Sequence, residues 1–197
     1  MKRLMTVLML STAMVLPLSA ALKKGDTAPA FTTKASLAGK EFQFSLKDAL
    51  KKGPVVVYFY PSAYTGGCNI EAHTFSENKE KFDAAGASII GVSRDSIQRL
   101  NQFSADPEYC AGKFAVASDI DGKIADSYNL NKMALPAGFK DTRGVVVDHE
   151  FTERTTFVVT PDMKVVATLS SADDKINPAQ HVEQSLAIVQ QLAKAKR

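Results

Sequence analysis

Residues 55–75 read VVVYFYPSAYTGGCNIEAHTF, and the change of pattern inside them decides the fold. Val55 to Tyr60, introduced by Gly53-Pro54, is a continuous β-branched and aromatic run of the kind that forms a central strand covered on both faces. From about Cys68 to Ala85 the spacing turns helical, with Ile70, Phe75 and Phe82 as the expected inward positions. The stretch therefore predicts a strand, a tight turn and a helix. A cysteine at the start of that helix lies under unpaired backbone N–H groups. Those groups, with the positive end of the helix dipole, favour negative charge on its sulfur. Gly66 and Gly67 permit tight backbone geometry and leave the sulfur uncovered. Thr65 brings a hydroxyl to the same place, and Pro61 stiffens the strand exit. A structural thiol needs no such surroundings; a nucleophile does.

Outward from this stretch, Ala87 to Val92 reads as a second buried strand, and Ser93-Arg94-Asp95-Ser96 leads into a short helix through Phe103. Phe114 to Ala117 reads as a third strand, and Asp121-Gly122 opens a turn before a short helix ending near Tyr128. Residues 130–152 are punctuated by Gly and Pro and weakly periodic, with an extra strand expected at most at Val145 to Val147. Thr155 to Thr160 and Val165 to Leu169 form a hairpin about Pro161-Asp162. Asn177-Pro178-Ala179-Gln180 supplies an N-cap, a proline at N1 and a glutamine at N3. The helix it starts carries Val182, Leu186, Val189 and Leu192 on one face. Strands alternating with helices, closed by a hairpin and a helix, predict a three-layer α/β domain with a central mixed sheet.

The 197 residues are 45% hydrophobic and 23% charged with a net charge of +3. That suits one domain with a full core and gives no basic concentration for nucleic acid. Residues 1–20, MKRLMTVLMLSTAMVLPLSA, combine Lys2 and Arg3, an apolar run and small residues, the pattern of a secretory signal peptide cleaved after Ala20 or Ala21. The run is short for a membrane span. Removing it leaves a single domain over residues 22–197, exported to the periplasm or beyond and free of the membrane. Cys68 and Cys110 then meet an oxidising compartment. Two cysteines in a domain of this size are either one staple or a working thiol with a partner. His73, His149 and His181 lack ligand spacing, so neither a metal nor another cofactor is expected, and helical spacing puts His73 at the surface.

The spacing P-x-x-x-T-x-x-C of Pro61, Thr65 and Cys68 is followed by Glu71 and Phe75. With GVSRDS at 91–96, ERTTFVV at 153–159 and GDTAPAF at 25–31, it resembles the peroxiredoxins, the alkyl hydroperoxide reductase/thiol-specific antioxidant superfamily. The likeness is nearest the Q-type, bacterioferritin-comigratory branch and spans essentially the whole mature chain. It implies a thioredoxin-like fold and a thiol-dependent peroxidase acting on hydrogen peroxide or organic hydroperoxides. In that family's terms Cys68 is the peroxidatic cysteine, attacking the distal peroxide oxygen to give water or an alcohol and a sulfenic acid. Thr65 and backbone amides around Gly67 position the peroxide. Arg154 holds the thiolate ionised and stabilises the departing oxygen. Pro61 shields the thiolate, and Glu71 orients Arg154.

The chain departs from the branch in places. Asn69 follows Cys68 where Thr, Ser or Pro is common. His73 and Ser104 occupy the two slots where relatives carry a second cysteine. Cys110 is therefore assigned as the resolving cysteine by its proximity in the pattern, with a one-cysteine scheme or a dimer-forming thiol as alternatives. A thioredoxin-like protein or a small thiol is the expected reductant, and the expected state is a monomer or weak dimer. Two rival readings remain. A thiol–disulfide redox protein would use the separated Cys68–Cys110 pair, since C-x-x-C is absent. A non-enzymatic domain would carry the same pair as a staple contributing about 3–4 kcal/mol, leaving Thr65, Gly66, Gly67 and Arg154 without a common reason.

Overall fold

The computed structural model describes residues 20–195; apart from Ala20, the expected signal peptide lies outside the described residues. The chain begins with a hairpin, β1 (Thr32–Leu37) and β2 (Lys40–Ser45), turning through Ala38 and Gly39 at φ 51° and 77°. Two consecutive left-handed residues match the twist of the strands they join. Helix α1 (Leu46–Leu50) follows, its first turn capped by the Ser45 hydroxyl accepting from Asp48 N. Strand β3 (Val55–Phe59) is buried at every position, and helix α2 runs Gly66–Ala84. Then come β4 (Ser88–Ser93), α3 (Ile97–Ala105), β5 (Ala115–Ser118) and α4 (Lys123–Ser127). Asp119 ties β5 to α4 by accepting from Ile124 N and Ala125 N at 2.9 and 2.8 Å. Two short strands, β6 (Lys132–Met133) and β7 (Phe151–Thr152), pair with each other. The hairpin β8 (Thr155–Val159) and β9 (Val165–Ser170) and helix α5 (Pro178–Ala195) complete the described chain.

The main sheet has seven strands in the order β2-β1-β5-β4-β3-β8-β9. β3, β4 and β5 are mutually parallel, and the flanking pairs are antiparallel. β3 shows why the run VVVYF must be apolar throughout. Val56 and Tyr58 enter one core with Phe75 and Phe82 of α2, Leu100 and Phe103 of α3 and Val182 and Val189 of α5. Val55, Val57 and Phe59 enter the other, with Leu46 and Leu50 of α1, Tyr128 and Phe157. Each such side chain contributes roughly 1.5–3 kcal/mol by leaving water. Helices on both faces make the expected three layers.

Two expectations are corrected. Ile70 does not point inward; it is 53% exposed. The buried face of α2 is Cys68, Glu71, Ala72, Phe75, Ser76 and Phe82, so a glutamate holds the position that hydropathy alone would not assign, and Ile70 falls off that face. Val145 to Val147 forms no strand. Only Val146 bridges, to Lys140, and Val145 and Val146 are exposed. The N-terminal hairpin, by contrast, was not expected from the sequence, although Ala38-Gly39 between two polar-apolar runs is its signal. The capping box on α5 is present as read: Gln180 Oε1 accepts from Asn177 N at 2.9 Å, and Asn177 Oδ1 accepts from Gln180 N at 3.0 Å.

Candidate active site

The strand-to-helix turn places Cys68 in the first turn of α2, with its side chain buried. Arg154, the residue before β8, reaches across so that its Nη2 donates to Cys68 Sγ at 3.2 Å. The opposite guanidinium nitrogen, Nη1, pairs with Glu71 Oε2, one turn further along α2. Both partners are almost wholly buried. Burial would lower the pKa of Arg154, but the charges of Glu71 and Cys68 carry it up, so its positive charge is secure. Burial lifts the Glu71 carboxyl to about 7 against the pull of Arg154, and Glu71 Oε1 has no hydrogen-bond partner among the described residues. The arrangement aims one fixed cation at one sulfur, with a carboxylate behind it to orient the cation.

Gly67 closes the site from the side. A Cβ there would lie 3.1 Å from Arg154 Nη2 and 3.3 Å from Pro178 Cγ at the start of α5. Thr65 sits at the N-cap position of α2, yet its hydroxyl does not cap the helix; it donates to Ser62 O at 2.8 Å. Pro61 is half-buried on the strand exit. Thus Gly67, Cys68, Glu71 and Arg154 stand together, while Thr65 and Pro61 lie on the turn that leads into them.

The turn between β3 and α2 is held by groups that sequence reading left without a role. Asp95, fully buried, accepts from Ala63 N, Ser62 Oγ and Ser93 Oγ, each at 2.7 Å. Arg99 Nη2 donates to Ala63 O at 2.7 Å and to Asp141 Oδ2 at 2.8 Å. Tyr64 has φ 62°, a left-handed conformation that costs a non-glycine residue about 1–2 kcal/mol. Its carbonyl accepts from Thr142 N and Thr142 Oγ1, and the Arg143 guanidinium lies 3.3 Å from its ring centroid. Residues 139–149, in which the sequence offered only a strand at Val145 to Val147, therefore work as a strap over this turn. The signal available was Asp95 inside GVSRDS, quoted for its resemblance but given no task.

Cys110 follows α3 in the turn 106–112 and is fully buried in the same core cluster as Cys68, and both thiols are free. The turn is packed, with Gly112 N bonded to Ser104 O and the following Lys113 Nζ to Ser76 O. Burial, reinforced by Asp106, pushes the Cys110 thiol well up. Ser104, one of the substituted cysteine slots, holds the hairpin instead, sharing a 2.8 Å hydrogen bond with Ser36 Oγ and accepting from Gly39 N. His73 is exposed as expected, its Nδ1 2.8 Å from Glu108 O. Among the described residues, no group of three or more His, Cys, Asp or Glu could hold a metal ion.

A buried cysteine at a helix start, faced by an arginine–glutamate pair, thus stands on a three-layer mixed sheet of thioredoxin-like build. The sequence profile described as the AhpC/TSA family matches residues 24–168. Peroxiredoxin Bcp of Xanthomonas campestris pv. campestris is 34% identical over 140 residues, which cover 71% of this chain and 78% of that protein. The chloroplastic peroxiredoxin Q of Populus jackii is 30% identical over 190 residues, covering 92% of this chain and 78% of that one. Among solved structures, peroxidoxin BcpB of Mycobacterium tuberculosis superposes with a TM-score of 0.70 at 28% identity, covering 86% of this chain and 97% of that one. The chain belongs to the AhpC/TSA family of peroxiredoxins, enzymes that reduce peroxides with a cysteine thiol.

Proposed function

We propose that Cys68 is the thiol that reacts with peroxide and that Cys110 resolves the product. The observation that carries this reading is Arg154 Nη2, 3.2 Å from Cys68 Sγ and oriented by Glu71. The Cys68 thiolate attacks the distal oxygen of a hydroperoxide. The O–O bond breaks, the leaving oxygen departs as hydroxide or alkoxide and takes a proton, and sulfur becomes a sulfenic acid. Arg154 stabilises the charge that moves from sulfur to the departing oxygen. Thr65 and the amide groups near Gly67 position the peroxide, and Pro61 keeps solvent from the sulfur.

In the second step the Cys110 thiol loses its proton and attacks the sulfenic sulfur, giving water and a Cys68–Cys110 disulfide. A thioredoxin-like protein with two thiols, or two molecules of a small thiol, takes the oxidising equivalents as a new disulfide and restores both thiols. Both sulfurs are buried in the same core cluster, and forming the disulfide brings them into bonding contact. The domain is read as residues 22–197 of an exported protein, periplasmic or secreted, working as a monomer or weak dimer. The N-terminal charge and apolar pattern supports export.

The test is intact mass after one equivalent of hydrogen peroxide, for the reduced mature protein and its Cys110→Ser variant. The expected result is loss of two hydrogens in the parent and gain of one oxygen in the variant. Gain of oxygen in both would move the protein to a one-cysteine scheme. No rapid change in either would overturn the assignment of Cys68.

A further inference from the structure

His149 lies on the strap between β6 and β7, and the reading of Cys68 leaves it without a task. Its Nε2 is 2.9 Å from Asp95 Oδ1, and its Nδ1 is 2.9 Å from Glu150 O. Both ring nitrogens therefore face oxygen acceptors, and both can donate only when the ring carries two protons. Asp95 is the carboxylate that holds Ala63 N and the Ser62 hydroxyl, so the ring sits one residue behind the backbone that positions Thr65 and Cys68. The other charged groups around it are largely paired. Arg99 Nε is 2.9 Å from Asp95 Oδ1, while its Nη2 reaches Asp141, which Arg143 also contacts. Glu150 is taken by Arg94 at 2.8 Å, and Asp148 is exposed on the strap. Asp95 thus has two cationic partners, Arg99 from α3 and His149 from the strap, both gripping the turn at residues 62–64.

We propose that His149 is a positioning residue of the peroxide-reducing site, pinning the Ser62–Ala63 turn through Asp95 and releasing it when the ring loses a proton. The ionisation directions agree with the geometry. Burial alone would raise Asp95, but the bond and charge of His149, with Ala63 N and Ser93, hold it below the usual carboxylate range. Burial alone would lower His149, but Asp95 raises it. The doubly protonated ring, with both bonds made, is therefore favoured more than in a free imidazole. Above its titration one of the two ring bonds is lost, so Asp95 still accepts from Ala63 N, Ser62 Oγ and Ser93 Oγ but loses the charge and two-point tether of the ring behind it.

The inference rests on Cys68 being the peroxide-reactive thiol, and the experiment separates the two. The full-length mature protein, His149→Gln, His149→Ala and Cys68→Ser are compared between about pH 5.5 and 9, the range a histidine titration spans. For each, the rate of Cys68 oxidation by hydrogen peroxide is divided by its rate of alkylation by iodoacetamide, which needs the thiolate but not the pocket. Thermal unfolding checks that each variant is folded. In the wild type the ratio is expected to fall by about threefold to tenfold as His149 deprotonates, the worth of one hydrogen bond. His149→Gln, which donates but does not titrate, is expected to lose that pH dependence, and folded His149→Ala to show about a tenfold lower ratio throughout. A wild-type pH dependence surviving in His149→Gln, or an unchanged ratio in folded His149→Ala, would overturn the proposal and leave Cys68 standing. Undiminished peroxide consumption by Cys68→Ser would overturn the Cys68 reading and this inference with it.

Discussion

Arg154 is held at two of its nitrogens, and the space beside it is closed by Gly67 and Pro178. This makes Gly67→Ala a sharp probe. Alanine is the better helix former by about 1 kcal/mol, so the change helps α2 locally. Its Cβ, however, would stand 3.1 Å from Arg154 Nη2 and 3.3 Å from Pro178 Cγ, closer than either would normally allow. The prediction is a melting temperature that holds or rises, with a peroxide rate constant lower by about tenfold, because misplacement by a fraction of an ångström is costly in an aligned displacement. Stopped-flow oxidation beside a thermal melt checks it; an unchanged rate would mean that the guanidinium has slack. The places of Cys68, Thr65 and Gly67 were legible because a turn and a helix start impose residue types at fixed spacing. Glu71 and Arg154, 83 positions apart, were legible only through family resemblance, since nothing local links them.

Strands β3 and β4 pack as a parallel pair, and Tyr58 of β3 lies over Gly91 of β4. A Cβ at Gly91 would come within 2.5 Å of Tyr58 Cζ and 2.6 Å of its hydroxyl oxygen. Tyr58 is stacked between Tyr60 and Phe75 at centroid distances of 5.3 and 4.6 Å, so it cannot move aside cheaply. Gly91→Ala is therefore expected to destabilise by about 2–3 kcal/mol, the range for overpacking a tight core. Urea unfolding at neutral pH measures this, and a loss below about 0.5 kcal/mol would show the interface to be more yielding than its geometry suggests. The glycine itself was visible in the sequence as an interruption of ASIIGV, but its partner was not. Element types came from periodicity, whereas the choice of neighbouring strand depends on contacts distant in the chain. The same reason explains Ile70, whose apolar character says nothing about which side of α2 meets the sheet.

His181 ties α5, β8 and β9 into one body. It is fully buried, with Nδ1 3.0 Å from Thr156 Oγ1 and Nε2 2.9 Å from Ser171 Oγ, while Ser171 N donates to Arg154 O at 3.2 Å. Burial, with the nearby charge of Arg154, lowers its pKa to about 4. The unfolded chain takes up this proton near pH 6.5 and the folded protein only near pH 4, so between those values the unfolded state binds more protons. Stability from His181 is therefore complete above about pH 6.5 and is lost as the pH falls toward 4, by up to about 3 kcal/mol. Glu71 acts in the opposite sense. Its folded pKa of about 7 means that the folded state binds the extra proton, so stability gains as pH falls through 7 toward 4.5. The isolating measurement is the unfolding free energy of the parent minus that of His181→Asn across this range. That difference is expected to shrink steadily on acidification, and a constant difference would refute a buried neutral His181.

Local pattern was sufficient for the buried strand at Val55, the helix that starts beside Cys68, the β8–β9 hairpin and the capping box at Asn177, because each depends on forces acting over a few residues. It also located the cysteine, since a helix N-terminus acts on whatever residue stands there. The packed state alone assembled the cage around Ser62, Ala63 and Tyr64. Asp95, Arg99, Asp141, Thr142 and His149 come from separate segments, and each has an ordinary surface character when read singly. Burying a carboxylate is unfavourable unless its partners are already in place, so the identity of those partners follows from the folded geometry and from no spacing along the chain.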